Sequence, residues 1–176
     1  MFTNPERNLL QCGDITGCHV ADLGSGSGFY TLSCAERVGS RGVVYSVDIQ
    51  KGLLDRTRSE AKNRNLKNVE YICSDIEKLG GTKIADNTVH LAIVSNVLFQ
   101  LENKDSFIRE VSRIVKSGGK VLFVDWTESY LNMGPHKNHI VSETMVRELF
   151  SKHGFKLHER INAHAYHYGI IFTHEK

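Results

Sequence analysis

The segment Val20-Ala21-Asp22-Leu23-Gly24-Ser25-Gly26-Ser27-Gly28 sets three glycines at alternate positions directly after a short apolar run. His19 to Leu23 reads as a strand that stops at the glycines, and Phe29, Leu32, Ala35 and Val38 then recur at helical spacing. A strand that turns through glycine into a helix brings free amide N–H groups and the positive end of the helix dipole to the turn. Glycine also lets the backbone approach a ligand without Cβ interference. Such a turn is an anion site, suited to a carboxylate or a phosphate. The plain alternative is a tight strand-to-helix turn with no ligand.

The same alternation continues along the chain. Strands are expected at Val43–Val47, Val69–Cys73, Val89–Val94, Lys120–Trp126, Phe155–Ile161 and Tyr166–Phe172. Between them, Leu53, Leu54, Thr57 and Ala61 mark a second helix. Phe107, Ile108, Val111, Ile114 and Val115 mark a third, expected to end at Ser117-Gly118-Gly119. Ser142 is placed to cap a further helix carrying Met145, Leu149 and Phe150, closed by Gly154. Near-continuous apolar strands separated by helices imply a parallel sheet covered on both faces. The last two strands are joined only by Asn162 to Ala165, short enough for a hairpin, so the final strand is expected to run antiparallel.

Composition narrows the classes open to this chain. The 176 residues are 40% apolar and 24% charged, which suits one ordinary globular domain with a core. No apolar run approaches the roughly 20 residues that span a bilayer. The start of the chain lacks the basic-then-apolar layout of a signal peptide, so a cytoplasmic location is expected. The net charge of +2 is spread among acids, and without a basic stripe a nucleic-acid partner is not expected. Cys12, Cys18, Cys34 and Cys73 form no CxxC pair and read as reduced thiols.

The glycine spacing separates two ligands. GxGxxG is the dinucleotide fingerprint, whereas Gly24, Gly26 and Gly28 are followed by Phe29, and the GxGxG spacing with Asp22 before it favours S-adenosylmethionine. Asp48 ends the second strand 20 residues after Gly28, near the distance at which an acid reaches a ribose; its alternative role is a helix cap. Ser74-Asp75-Ile76 ends the third strand, where Asp75 can accept from an adenine amino group while Ile76 and Ile49 cover the ring. Ser95-Asn96-Val97 ends the fourth and would face the methionine part and the acceptor.

Taken together, the motifs resemble the class I S-adenosylmethionine-dependent methyltransferases. They are most similar to the group related to ubiquinone/menaquinone-biosynthesis methyltransferases, often called methyltransferase type 11. The matching segments are Asn4-Pro5-Glu6-Arg7, Asp22 to Gly28, Tyr45-Ser46-Val47-Asp48-Ile49, Ser74-Asp75, Ser95 to Phe99 and Lys116 to Val121. With no linker, repeat or low-complexity stretch, the chain reads as a single domain over residues 1–176, and the resemblance implies that it is a class I methyltransferase domain with a Rossmann-like, doubly wound, seven-stranded α/β sheet whose last strand is antiparallel. It implies that Asp22, Gly24, Gly26 and Gly28 frame the methionine end, that Asp48 holds the ribose and that Asp75 holds the adenine. Ser25 stands where many relatives carry cysteine, a change expected to matter little if that position meets the ligand through its backbone.

Methyl transfer from a sulfonium is an in-line displacement that depends chiefly on alignment, and needs a base only when the nucleophile must lose a proton. On the acceptor side stand Asp125 and Trp126 at the end of the fifth strand, the loop Thr127 to Val141 as a possible lid, and His167 or Tyr168 on the last strand. A strand pair that merely packs the sheet is the alternative for His167 and Tyr168. Seven of the nine histidines lie between His136 and His174, including the HxxH pairs His136/His139 and His164/His167, but no metal is expected. The Asn/Asp-Pro-Pro-aromatic motif of amino-group methylation is replaced by Asn96-Val97-Leu98-Phe99, and the cysteines do not form an arsenite-type thiol cluster. A small-molecule acceptor is preferred, with a peptide side chain second and a monomer or homodimer as the assembly. The competing classes are a catalytically inactive S-adenosylmethionine-binding module and a nicotinamide-dependent reductase.

Overall fold

The computed structural model describes residues 4–129 and 134–175. Its elements are α1 (Pro5–Leu10), β1 (His19–Leu23), α2 (Phe29–Val38), β2 (Val43–Asp48), α3 (Lys51–Asn63) and β3 (Val69–Cys73). They continue with β4 (Val89–Ser95), α4 (Lys104–Ile114), β5 (Val115–Trp126), α5 (Glu143–Lys152), β6 (Phe155–Ile161) and β7 (His167–His174). The strands form one seven-stranded sheet in the order β3-β2-β1-β4-β5-β7-β6. β3, β2, β1, β4 and β5 pair in parallel, and β7 runs antiparallel to both β5 and β6.

Side chains alternate across the central strands, as a sheet covered on both faces requires. Val121 and Phe123 of β5 join Ile170 and Phe172 of β7 in one core, with Phe107, Ile108 and Val111 of α4 and Phe150 of α5. Leu122 and Val124, the residues between, join Ile171 in the opposite core, with Leu9 of α1 and Tyr30, Cys34 and Val38 of α2. Stacking of Phe150 on Phe172, with ring centroids 4.3 Å apart, locks α5 to the sheet.

Two features differ from the sequence expectation. α1 is an additional helix, started by the Asn4 side chain accepting from the Arg7 amide and by a proline in its first turn. α4 ends at Ile114, before the glycines. Strand hydrogen bonding takes over there, because Val115 already pairs with Val89 and the Ile114 carbonyl accepts from the Thr88 amide. The register then shifts between Val89 and Leu91, and Gly118, with φ +73°, sits inside that bulge rather than at a helix cap.

The sheet order reverses between β1 and β4. In open α/β sheets the crevice outside the carboxyl ends of strands at such a switch point is where ligands bind. Here the loops that leave β1, β2, β3 and β4 converge on that crevice.

Candidate functional site

The crevice has two lobes. One, of about 660 Å³, is lined by Asp22, Gly24, Ser25, Gly26, Ser95 and Asn96, with Asn4, Pro5 and Glu6 of the α1 region forming a wall. The other, of about 280 Å³, is lined by Asp48, Ile49, Ser74, Asp75 and Ile76. Gly24, Gly26 and Gln100 border both lobes. Eleven of the twelve residues expected around a cofactor therefore meet at one crevice.

Gly28 is the exception: it lines neither lobe and instead forms the N-cap of α2 at φ +75°. A Cβ there would lie 2.4 Å from the Thr57 side chain, so Gly28 lets α3 pack against the start of α2. Gly24 carries φ +73°, and a Cβ on it would come within 2.6 Å of Val97. The glycine turn can thus close on the β4 loop only without a side chain. No side chain caps α2, which leaves its amino end to the crevice.

Asp48 does more than end a strand. Its Oδ2 accepts from the Gly26 amide at 2.8 Å and its Oδ1 from the Gln50 amide at 2.8 Å. Gln50, not Asp48, is the capping residue of α3. The carboxylate braces the glycine turn from below, and each oxygen retains a lone pair for a further donor. Asp22 is 3% exposed, and burial pushes its carboxyl up to about 6. The Thr31 hydroxyl, donating at 2.6 Å, opposes that rise, while nearby Asp48 adds to it. Asp75 accepts from the Glu77 amide at 3.0 Å and pairs with Lys78. Asn96 adopts φ +56° and has a buried Oδ1 without a partner.

His167 and Tyr168 line neither lobe, and as neighbours on β7 they point to opposite faces of the sheet. His167 is 6% exposed and packs at a tilt against Trp126, with centroids 4.2 Å apart. Its Nδ1 lies 3.3 Å from the Ala165 carbonyl, its Nε2 is buried without a partner, and burial lowers its basicity. Tyr168 donates to the Val141 carbonyl at 2.7 Å, and burial raises its hydroxyl well above the ordinary range. Asp125 lies on the Tyr168 side of the sheet. Of the expected lid, residues 130–133 lie outside the described residues, Met133 among them; Lys137–His139 forms a 3-10 turn and Gly134 packs on the Trp126 ring. Among the described residues, no group of three or more His, Cys, Asp or Glu is placed to hold a metal ion.

Several residues of the crevice carried no sequence signal as ligands. Tyr30 and Gln100 belong to no motif; Gln100 reaches the site because its Nε2 donates to the Asn96 carbonyl at 2.8 Å within a 3-10 turn. Asn4 and Pro5 belong to a segment that matched the family, but nothing in it marked a helix, and the start of α1 is what walls the larger lobe.

A seven-stranded sheet of this order, with a glycine turn and acids at its switch point, is the architecture of a class I methyltransferase. Residues 15–154 match the methyltransferase domain family, and the chain belongs to that family. It is 30% identical over 125 residues to a ubiquinone/menaquinone biosynthesis C-methyltransferase of Idiomarina loihiensis, an alignment covering 70% of this chain and 49% of the relative. With an aklanonic acid methyltransferase of a Streptomyces species it shares 30% identity over 123 residues, covering 69% and 54% of the two chains. Thus the chain spans about half the length of these curated relatives. A crystal structure of an S-adenosylmethionine-dependent methyltransferase from Aquifex aeolicus superimposes with a TM-score of 0.87 at 26% identity, covering 98% of this chain and 90% of that one.

Proposed function

We propose that this protein is an S-adenosylmethionine-dependent methyltransferase acting on a small-molecule acceptor. The observation that carries the reading is the pair of carboxylates, Asp22 and Asp48, held on either side of a glycine turn that admits no Cβ at Gly24. The larger lobe fits the amino-acid end of the cofactor: Asp22 offers an acceptor to its ammonium group, and the amino end of α2 offers donors to its carboxylate. The smaller lobe fits the nucleoside, with Asp48 accepting from ribose hydroxyls, Asp75 from the adenine amino group, and Ile49 and Ile76 on the ring. Relatives whose names specify quinone-pathway and aklanonic acid methylation support a small-molecule acceptor.

When bound, S-adenosylmethionine supplies a methyl group on a positively charged sulfur, a leaving group that needs no acid. The contribution of this chain is alignment and exclusion of water. Asp48 and the glycine turn fix the nucleoside, while Asn96 at the end of β4 presents its unpartnered Oδ1 on the acceptor side. Neither acceptor-side candidate lines the lobes, so neither is assigned as a base; His167 keeps its buried Nε2 unpartnered, and burial favours its neutral ring. Tyr168 spends its hydroxyl on Val141.

Calorimetric titration with S-adenosylhomocysteine tests the reading directly. Wild type and His167→Gln are expected to bind in the micromolar range, and Asp48→Ala to lose at least tenfold in affinity, about 1.4 kcal/mol. Binding of NAD in place of S-adenosylhomocysteine would move the protein to the reductases, and binding of neither would reduce the glycine turn to a structural feature.

A further inference from the structure

Beneath the glycine turn runs a line of hydroxyls that no ligand contact requires. Thr31 Oγ1 of α2 lies 2.6 Å from Asp22 Oδ2 and 3.1 Å from Ser46 Oγ of β2. Ser46 Oγ in turn lies 2.9 Å from Ser25 Oγ, in the glycine turn itself. Thr31 and Ser46 are fully buried, so water does not complete their bonding.

These three contacts admit one arrangement of hydrogens while Asp22 is ionised. A carboxylate only accepts, and a hydroxyl has one hydrogen to give. Thr31 therefore spends its hydrogen on Asp22, Ser46 must donate to Thr31, and Ser25 must donate to Ser46. A proton arriving on Asp22 Oδ2 reverses every bond: Asp22 donates to Thr31, Thr31 to Ser46, Ser46 to Ser25, and the Ser25 hydrogen turns outward to the crevice. Each hydroxyl has one hydrogen before and after, so the reversal balances with the single proton gained.

Resting on the methyltransferase reading, we infer that Ser25, Ser46 and Thr31 form a one-way hydrogen-bond chain that positions Asp22 for the ammonium group of the cofactor. The chain couples the setting of that carboxylate to the glycine turn. Serine at position 25 is then a working part of the site, although a backbone-only role would make its side chain immaterial. Chains of this kind also polarise one another, which strengthens the terminal bond to the carboxylate. The groups that bear on Asp22 electrostatically are Asp48 on β2 and Cys34 on α2; the other charged groups lining the same lobe are Glu6 and Arg64. β4 presents only the uncharged Ser95 and Asn96 there.

The test is the pH dependence of S-adenosylhomocysteine binding, measured by calorimetry from about pH 5 to about pH 8. The ligand's own amine and carboxylate do not titrate in that range. In wild type, affinity should fall on acidification with a midpoint near the Asp22 value of about 6. Thr31→Val removes the donor while keeping the shape, and should move the midpoint upward by about one unit. Ser25→Ala, at the accessible end of the chain, should move it in the same direction by less, and Thr31→Ser should restore it. Adenosine, which lacks the amino-acid part, should bind all four proteins alike at every pH. An unmoved midpoint in Thr31→Val and Ser25→Ala, or an equal shift with adenosine, would overturn the chain as a positioning device while leaving the cofactor assignment intact. No binding of S-adenosylhomocysteine by wild type at any pH would instead remove the methyltransferase reading, and the inference with it.

Discussion

Asp125, at the carboxyl end of β5, shows what a single buried acid costs this fold. It is 1% exposed; Oδ1 accepts from the Trp126 amide at 2.8 Å, and Oδ2 has no partner. Burial pushes the carboxyl up to about 7, against the opposing pull of the Trp126 amide and the Lys104 charge. An acid whose folded value exceeds its unfolded one holds its proton more tightly in the fold. Its penalty is therefore greatest above the folded value and fades as pH falls towards the unfolded one. Asp125→Asn removes the titration but keeps the acceptor for Trp126. Relative to wild type, the variant should gain about 2 kcal/mol more stability at about pH 8.5 than at about pH 5.5. Urea unfolding at the two values measures this, and a difference that does not change with pH would show that the carboxyl finds a partner in solution. Asp22 carries a similar rise, so two strained acids stand at the ligand edge, where function rather than stability sets the residue.

At the scale of elements, α4 illustrates how a helix holds a loop that has little core of its own. Glu110 is fully buried, and its carboxylate accepts from the Gly80 amide, from the amide and hydroxyl of Thr82, and from Arg113 at 2.7 Å. Burial alone would raise the Glu110 carboxyl, yet these donors outweigh it and hold the group at about 2. Glu110→Ala would leave the buried amide and hydroxyl of Thr82 without their acceptor and leave Arg113 with Asp86 as its remaining carboxylate, a loss expected to be about 1–3 kcal/mol in urea unfolding. A loss below about 1 kcal/mol would mean that water replaces the carboxylate. None of this network was legible beforehand, because Glu110 sits among apolar residues of α4 with nothing to mark its partners some 30 positions earlier. The strands were legible because central strands buried on both faces must be apolar throughout. α1 was not, since its six residues are too few to show a helical period. Gly118 misled for a physical reason: its left-handed conformation serves a bulge, and glycine marks a cap and a bulge alike. In the site, acids at strand ends were legible from spacing, whereas Tyr30 and Gln100 reach the crevice by packing that no local pattern encodes.

Across the whole molecule, the crevice joins parts that the sheet otherwise keeps separate. Its two lobes draw on the loops after β1, β2, β3 and β4 and on the start of α1, so one ligand would bridge both sides of the switch point. The groove between α5 and β6, of about 560 Å³, lies at the other end of the sheet from β3 and shares no residue with those lobes. A ligand that binds only the folded state stabilises it by mass action, about 2.7 kcal/mol at a hundredfold excess over Kd. For a chain of this length that corresponds to a rise in Tm of roughly 5–10 °C. Hydrogen exchange then locates the effect: S-adenosylhomocysteine should slow amide exchange in α1, in the glycine turn and in the segments around Asp48, Asp75 and Asn96. Amides of Phe155–Ile161, at the edge of the sheet, should exchange as before. Protection concentrated instead in α5 and β6 would place the binding site in the α5–β6 groove and separate this chain's ligand from its glycine turn. Protection of the glycine turn without α1 would leave the cofactor in place but strip the short helix of its role as a wall, since a wall that the ligand touches cannot open and close as freely as before.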